Sequence, residues 1–522
     1  MNTGLDNTLP DTIDALKQLV LSQQESLQDN QHQLEQKQAR IQFLEEQVIL
    51  FKHRQFGKSS EKSILQVELF DEVETHAELT APGSVSPVEA AFDQPAPKLA
   101  KSGRKPLPKT LPRVRIEHDL PEAEKRCQCG CQKTCIGEDT SEQLDIIPAV
   151  VQVLVHVRKK YACKDCESGI TVADLPKQPI AKSNASPGLL AHIAVAKYHD
   201  GLPLYRMETV FKRLGLHLPR NTQANWMIQC GKLLQPLYNL LNDQLLDSGY
   251  IHMDETRVQV LKEPDKLPES LSYMWVRRTG DLEHPIILFD YASSRKASVV
   301  DSLLGDYRGY LQTDDYAGYH ATGNREGVIA LGCMAHARRK FIDAQKVTAT
   351  KKDKVSKADV AVGMIKALYA IEASIKEKTP GEKYIIRQQK SQDQLTKMKL
   401  WLDKALQQTL PKGKAGEAIA YAHKNWEKLT AYVHDGRLNI DNNPVENAIR
   451  PFAIGRKNWM FSNSQQGAKA SAMLYSIIET AKANRLEPYA YLRTLFTRLP
   501  SCETVDDFEA LLPGNVRIAP LT

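Results

Sequence analysis

The chain has 522 residues, 42% of them apolar and 25% charged, which is enough for several cores and excludes a chain disordered throughout. Its formal charge of +6 is mild, so nucleic acid is permitted as a partner but not demanded, and local clustering of charge matters more than the total. Met1–Pro10 carries an Asp and no apolar signal core, and no apolar run approaches the roughly 18 residues of a membrane helix; a cytoplasmic protein with no membrane partner is expected.

Ile13, Val20, Leu27, Leu34, Ile41 and Val48 recur at every seventh position, with Leu16, Leu44 and Phe51 three residues after their seam partners. This spacing predicts a coiled coil over residues 1–62 and self-association as a homodimer or higher oligomer. Gln23, Asn30 and Lys37 interrupt the seam, where polar groups weaken it but fix register. A single amphipathic helix packed on its own protein is the alternative. Residues 63–114 turn rich in Ala, Pro, Val and acids and read as a flexible linker with a basic end.

Six of the nine cysteines fall between 127 and 166, a density that in a reducing compartment points to metal rather than disulfides. Cys163 and Cys166 form a C-x-x-C knuckle, and Cys127 with Cys129 is the expected upstream pair for a four-cysteine Zn²⁺ site, Cys131 being the rival to Cys129. The alternating Val run "AVVQVLVHVRKKYAC" suits the hairpin of a zinc ribbon spanning 115–180. Cys230, Cys333 and Cys502 stand alone and read as small buried apolar side chains.

Residues 181–247 read as short helices around a tight turn, carrying Lys212, Arg213 and Arg220. They suit either a helix-turn-helix DNA reader or a plain helical connector. Next, "GYIHMDETRVQVL" has period two and places Asp254 on one face and Glu255 on the other. Strands "SYMWVRR" and "PIILFDY", a helix "SRKASVVDSLL", a strand ending at Asp314, a strand "GVIALG" and a helix "CMAHARRKFIDA" complete the order of a ribonuclease-H-like α/β domain. Strand ends bring distant carboxylates together, and hard Mg²⁺ or Mn²⁺ ions take such carboxylates with substrate phosphate oxygens.

A third acid must come from a later helix. "NNPVENAIRPFAIGRKNW" (442–459) offers Glu446 among cations and amides. One reading is local: Asn442 or Asn443 caps the helix and Glu446 closes a capping box. The other makes Glu446 a metal ligand, with Arg450, Arg456, Lys457 and Asn458 on the DNA backbone. His336, Arg338 and Arg339 are further candidates for contact with DNA.

The segments "HMDET", "GYLQTDDYAGY", "GCMAHARRKF" and "NNPVENAIRPFAIGRKNWMFSNS" resemble the DDE transposases of the insertion-sequence 66 family, as do "FGKSSEK", "IGEDTSEQLDIIPA" and "KYHDGLPLYR" upstream. The resemblance spans nearly the whole chain. It implies that Asp254, Asp314 and Glu446 are the catalytic triad, that the Lys- and Gln-rich stretch at about 346–436 is a helical insertion within a catalytic domain of residues 248–484, and that 485–522 is a carboxyl-terminal segment. It also implies DNA as partner, in the form of element ends and target, and small accessory proteins of the same element. The Cys127–Cys129 spacing departs from the usual first knuckle, in which two residues separate the thiols.

The expected architecture is therefore α/β and multidomain: coiled coil, zinc ribbon and helical DNA-binding region, then a ribonuclease-H-like domain. The expected activity is divalent-metal-dependent cleavage at element ends followed by strand transfer. A competing expectation from the same residues is a zinc-containing, sequence-specific DNA-binding regulator with an inactive catalytic fold.

Overall fold

The computed structural model describes residues 151–162, 170–280, 283–348 and 355–518, together with scattered positions between 17 and 44. Leu27, Ile41 and Leu44 among the latter are helical and exposed. The remaining seam positions of the expected coiled coil, the linker, and Cys127, Cys129, Cys131, Cys163 and Cys166 lie outside the described residues. Two compact units divide the chain, Thr80–Ala173 forming one and Met1–Leu79 with Asp174–Thr522 the other.

In the first unit, strand β1 (Lys160–Ala162) pairs antiparallel with β2 (Ile170–Val172), Tyr161 opposite Thr171. This narrows the expected hairpin: of the Val-rich run, residues 151–159 are not strand, and Lys160–Ala162 pair with the segment Ile170–Val172. Alternation supplies a strand's pattern but not its partner.

The larger unit is built on a six-stranded sheet: β3 (Tyr250–Lys262), β4 (Leu271–Thr279), β5 (Ile287–Ala292), β6 (Gly309–Gln312), β7 (Val328–Leu331) and β8 (Ser462–Ser464). Spatial order is β5-β4-β3-β6-β7, with β8 also on β3. Strand β4 runs antiparallel to both β3 and β5, whereas β6 and β8 join β3 in parallel and β7 joins β6 in parallel. One edge of β3 is taken by β4 from Ile251 to Gln259. The other is shared: β6 pairs residues 250–252 and β8 pairs Val260 and Lys262, so the stretch between them, which includes Asp254, is not laddered on that side.

Ahead of the sheet lie helices α1 (Pro187–Tyr198), α2 (Leu204–Arg213), α3 (Arg220–Leu233) and α4 (Gln235–Leu246). Gly215, at φ +81°, makes the turn after α2 that an L side chain resists. These helices do not form a separate body: Leu190, Ile193, Trp226 and Leu237 share one hydrophobic core with Ile251, Val276 and Phe289 of the sheet. Helix α5 (Ala297–Leu304) links β5 to β6, and α6 (Met334–Thr348) follows β7.

The expected insertion is helical: α7 (Lys357–Ser374), α8 (Gln392–Gln407) and α9 (Lys414–Lys424) pack a second core, in which Ile365, Leu368, Leu395, Leu402 and Ile419 surround Phe341 of α6. Its charged centre is Arg387, 2% exposed, which pairs with Glu372 (Nη2–Oε2 2.7 Å) and donates to the carbonyls of Tyr432, Asp435 and Leu438. Those three carbonyls belong to the connector entering the next helix. Four satisfied acceptors around one guanidinium make the connector rigid.

That helix is α10 (Asn443–Trp459), followed by β8, α11 (Gln465–Ala483) and α12 (Pro488–Arg498). Val445, Ala448, Ile449 and Phe452 recur at helical spacing and are buried, and the Phe452 ring meets those of Phe289 and Tyr475 at centroid distances of 6.3 and 5.3 Å. Gly455 permits the close crossing on α11, because a Cβ there would lie 2.7 Å from the Tyr475 hydroxyl. Helix α11 also covers the edge strand β5: Ser476 Oγ accepts from the Phe289 N–H (2.7 Å), and Thr480 Oγ1 accepts from the Ile287 N–H (3.0 Å). No helix among the described residues is long and apolar enough to cross a membrane.

Candidate active site

Asp254 lies mid-strand on β3, half-buried, with Oδ1 accepting the Glu255 N–H at 2.8 Å. The parallel register Tyr250↔Tyr310, Ile251↔Leu311, His252↔Gln312 is a constant offset of sixty residues; the ladder stops there, and the same offset carried two steps past it would pair Asp254 with Asp314. Strand β6 itself ends at Gln312, two residues before the expected end, so Asp314 sits in the loop just past the ladder. There Asp314 Oδ1 accepts the Tyr316 N–H (3.0 Å) while Oδ2 stands 4.0 Å from Arg295 Nη2. Burial raises its pKa above the ordinary carboxylate range, against the lowering by Tyr316 N–H and Arg295.

The neighbouring Asp315 has a different job. It meets His320 Nε2 at 3.0 Å, Asn425 Nδ2 at 2.8 Å, and Lys424 and Lys428 at 3.7 and 3.8 Å, tying the end of β6 to the insertion. Burial pushes this carboxyl up, but the bonds from Asn425 and His320 and the two lysines outweigh it and hold the pKa below the usual range.

Two residues that the sequence did not single out flank the aspartates. Glu255, its side chain 1% exposed, is hydrogen-bonded to Arg295 and to the Tyr319 hydroxyl. Arg295 comes from the loop after β5, is 34% exposed, stacks its guanidinium 3.5 Å from the Tyr316 ring centroid, and reaches Asp314 as well. Burial raises the Glu255 pKa, with Arg295 opposing it. Nothing local in "DET" or "SSRKAS" announces a pair forty residues apart, whereas the period-two pattern did announce that Asp254 and Glu255 part company.

The local-cap reading of Glu446 does not hold. Asn442 is the N-cap residue of α10, but its side chain makes no cap bond; Oδ1 lies 3.0 Å from His252 Nδ1 and Nδ2 donates to the Met253 carbonyl at 3.1 Å. With Asn442 as N-cap the box position is Val445, so Glu446 stands one residue beyond it, and the Asn442 N–H goes to Cys333 Sγ at 3.2 Å. Asp441 accepts the Asn443 N–H instead (3.1 Å) and takes the Tyr369 hydroxyl on its other oxygen (2.7 Å). Helix α10 therefore starts clasped to the two residues before Asp254. Glu446 is buried in its first turn, with Oε1 3.6 Å from His336 Nδ1. Cys333, His336 and Glu446 form the group of three metal-competent side chains among the described residues whose ligand atoms lie within 4.8 Å of one another; neither aspartate belongs to it.

Of the cations expected on DNA, Lys457 is exposed, and Arg450, Arg338 and Arg339 are half-buried. Arg456 is committed inward, donating to Thr256 Oγ1 (3.2 Å) and to the Arg257 carbonyl on the unladdered edge of β3. Burial, with Arg257 nearby, lowers its pKa. The Asn458 amide donates to the Gly201 carbonyl at 3.1 Å. Both side chains fasten α10 to its neighbours, Arg456 half-buried and Asn458 exposed. Lys212, Arg213 and Arg220, around the α2–α3 turn, are exposed.

The donor chemistry fits the expected hard divalent ion at the two aspartates, since desolvated carboxylates in adjacent chain segments are stabilised by a cation between them. Asp254 and Asp314 would hold it, and Glu446 would complete the set.

Comparison with known proteins accords with these features. Residues 182–470 match the family described as "Transposase IS66 family", 476–513 the "IS66 C-terminal element", 124–167 the "zinc-finger binding domain of transposase IS66", and 43–116 "Transposase C of IS166 homeodomain". Two relatives from Sinorhizobium fredii (strain NBRC 101917 / NGR234) are the uncharacterized protein y4qI, 31% identical with 98% of each chain covered, and the uncharacterized protein y4jD, 32% identical with 83% of this chain and 87% of the relative covered. No solved structure matches. The chain belongs to the IS66 family of transposases.

Proposed function

We propose that this protein cleaves DNA at the ends of a bacterial insertion sequence and joins the freed 3′ ends to target DNA, in a ribonuclease-H-like domain whose triad is Asp254, Asp314 and Glu446. The observation that carries the reading is the β3–β6 register, which runs toward Asp254 and Asp314 as neighbours, together with the Asn442 clasp that starts the Glu446 helix beside the same strand. The strand order, three antiparallel strands then two added in parallel beside β3, supports the fold assignment.

Divalent Mg²⁺ or Mn²⁺, when bound, supplies Lewis-acid stabilisation of the attacking and leaving oxygens of a phosphodiester. The chain's own residues do the rest. Asp254 and Asp314 present desolvated carboxylates from rigid backbone, so little reorganisation is left for the reacting state. Glu255 holds Arg295 beside Asp314, where the exposed part of its guanidinium can meet a phosphate oxygen. Lys457 and the exposed Lys212, Arg213 and Arg220 provide sequence-independent contact with the DNA backbone. In the amino-terminal part, Cys127, Cys129, Cys163 and Cys166 hold structural Zn²⁺, and the coiled coil brings two copies together on paired ends.

The test is cleavage of element-end DNA with Mg²⁺. Asp254→Asn, Asp314→Asn and Glu446→Gln should each slow cleavage about a hundredfold or more, since the positioned ions are worth several kcal/mol to the transition state. End binding should persist. A wild-type protein that binds ends, never cuts them and is unchanged by Asp254→Asn would instead be a zinc-containing DNA-binding regulator.

A further inference from the structure

Cys333, His336 and Glu446 are held by two elements locked to each other. Cys333 follows β7 at the entry to α6, and His336 lies one helical turn on, so both project from the same side of the helix start. The Met334 N–H donates to the Ile440 carbonyl at 3.1 Å and the Asn442 N–H to Cys333 Sγ at 3.2 Å, which fixes α6 against the segment that delivers Glu446. The His336–Glu446 separation of 3.6 Å falls within the roughly 3.3–3.8 Å that tetrahedral geometry sets between ligands of one ion bound at about 2.0–2.3 Å.

We propose that these three side chains form a second metal site, selective for Zn²⁺ over Mg²⁺. Thiolate, imidazole and carboxylate suit a borderline-soft ion, whereas Mg²⁺ demands an octahedral shell of oxygens. Three protein ligands leave the fourth position open to water, as in catalytic rather than purely structural zinc sites. The Asn442 N–H already bonds the sulfur that would carry thiolate charge, the kind of outer contact that supports metal ligands. His336 is 23% exposed against 9% for Glu446, so entry is from the His336 side. On binding, the ion forms a sulfur–zinc bond and the Cys333 proton leaves to solvent.

One consequence rests on the function proposed above. Glu446 belongs to both sets, so a zinc ion held by Cys333 and His336 withdraws the third carboxylate from Asp254 and Asp314. Zinc then acts as a reversible brake on Mg²⁺-supported cleavage.

The test is bound zinc per folded full-length chain at equal free zinc, by elemental analysis after equilibrium dialysis. Wild type should hold one equivalent more than Cys333→Ser and one more than His336→Asn, while Cys502→Ser matches wild type. The cysteines of residues 127–166 are intact in all four and give a constant background. His336→Asn, at a partly exposed position, serves if Cys333→Ser does not fold. Equal zinc in wild type and His336→Asn overturns the site. Equal zinc together with loss of cleavage in Glu446→Gln overturns it while leaving the transposase reading in place.

Discussion

His252 and Asn442 face each other across 190 residues of chain, Nδ1 to Oδ1 at 3.0 Å, both buried. Because the Asn442 amide also donates to the Met253 carbonyl at 3.1 Å, one side chain sets both the height and the rotation at which the Glu446 helix leaves the strand of Asp254. Burial holds the His252 pKa down to about 3, so the ring bonds as a neutral group. Asn442→Ala would leave the Met253 carbonyl and His252 without this partner, at roughly 1–3 kcal/mol for each buried group. Urea unfolding should show that loss, and Mg²⁺-dependent cleavage should fall by more than end binding does. Unchanged stability would mean that the clasp is not what orients α10.

The insertion should matter for the same reason. Arg387 gathers Glu372 and three carbonyls of the connector before α10, so Arg387→Ala strands a half-buried carboxylate and those carbonyls and should cost about 3–5 kcal/mol. Limited proteolysis should then cut first between residues 430 and 442. A variant as protease-resistant as wild type would show that the connector is held by other contacts.

Gly455 offers a paired test. A Cβ there would sit 2.7 Å from the Tyr475 hydroxyl and 3.0 Å from Trp459 Nε1. Gly455→Ala should destabilise by about 1–3 kcal/mol through overpacking. Adding Tyr475→Phe removes the nearer atom and should restore part of the loss. Strict additivity of the two changes in thermal unfolding would refute the contact.

Much of the sheet was legible because β-branched and aromatic residues alternate in 249–261 and cluster in the strands that follow, a local signal. Asp254 and Glu446 stood out as acids in otherwise informative segments. Asp314 was set apart from Asp315 as the end of a strand, but the tethering role of Asp315 was not legible, since its partners Asn425 and Lys428 come from beyond residue 420. Long-range contacts were illegible: nothing in the sequence shows that α10 brings Arg456 onto β3 and the Asn458 amide onto the Gly201 carbonyl. Only the end of the Val-rich run enters the hairpin at 160–172, because alternation does not say which residues will pair or with which segment.

Lys197 gives a pH signature. Burial lowers its pKa to about 8, with Nζ 5.0 Å from the Tyr198 ring centroid and 5.3 Å from that of Trp459. A folded-state pKa below the unfolded value near 10.5 means that this residue's contribution is complete above about pH 10.5 and is lost as pH falls to 8. The difference in unfolding free energy between wild type and Lys197→Met should therefore change by up to about 3 kcal/mol between pH 8 and 10.5, in favour of wild type at the higher pH. A flat difference would place the ammonium in water.

The central claim is that Asp254, Asp314 and Glu446 serve one pair of divalent ions. The direct measurement is anomalous scattering from Mn²⁺ in crystals of the full-length protein bound to element-end DNA. The account predicts manganese between Asp254 and Asp314 at the scissile phosphate, with a Glu446 oxygen in the coordination shell of at least one ion. Manganese held by the aspartates alone, with Glu446 still turned to His336 in that complex, would contradict it.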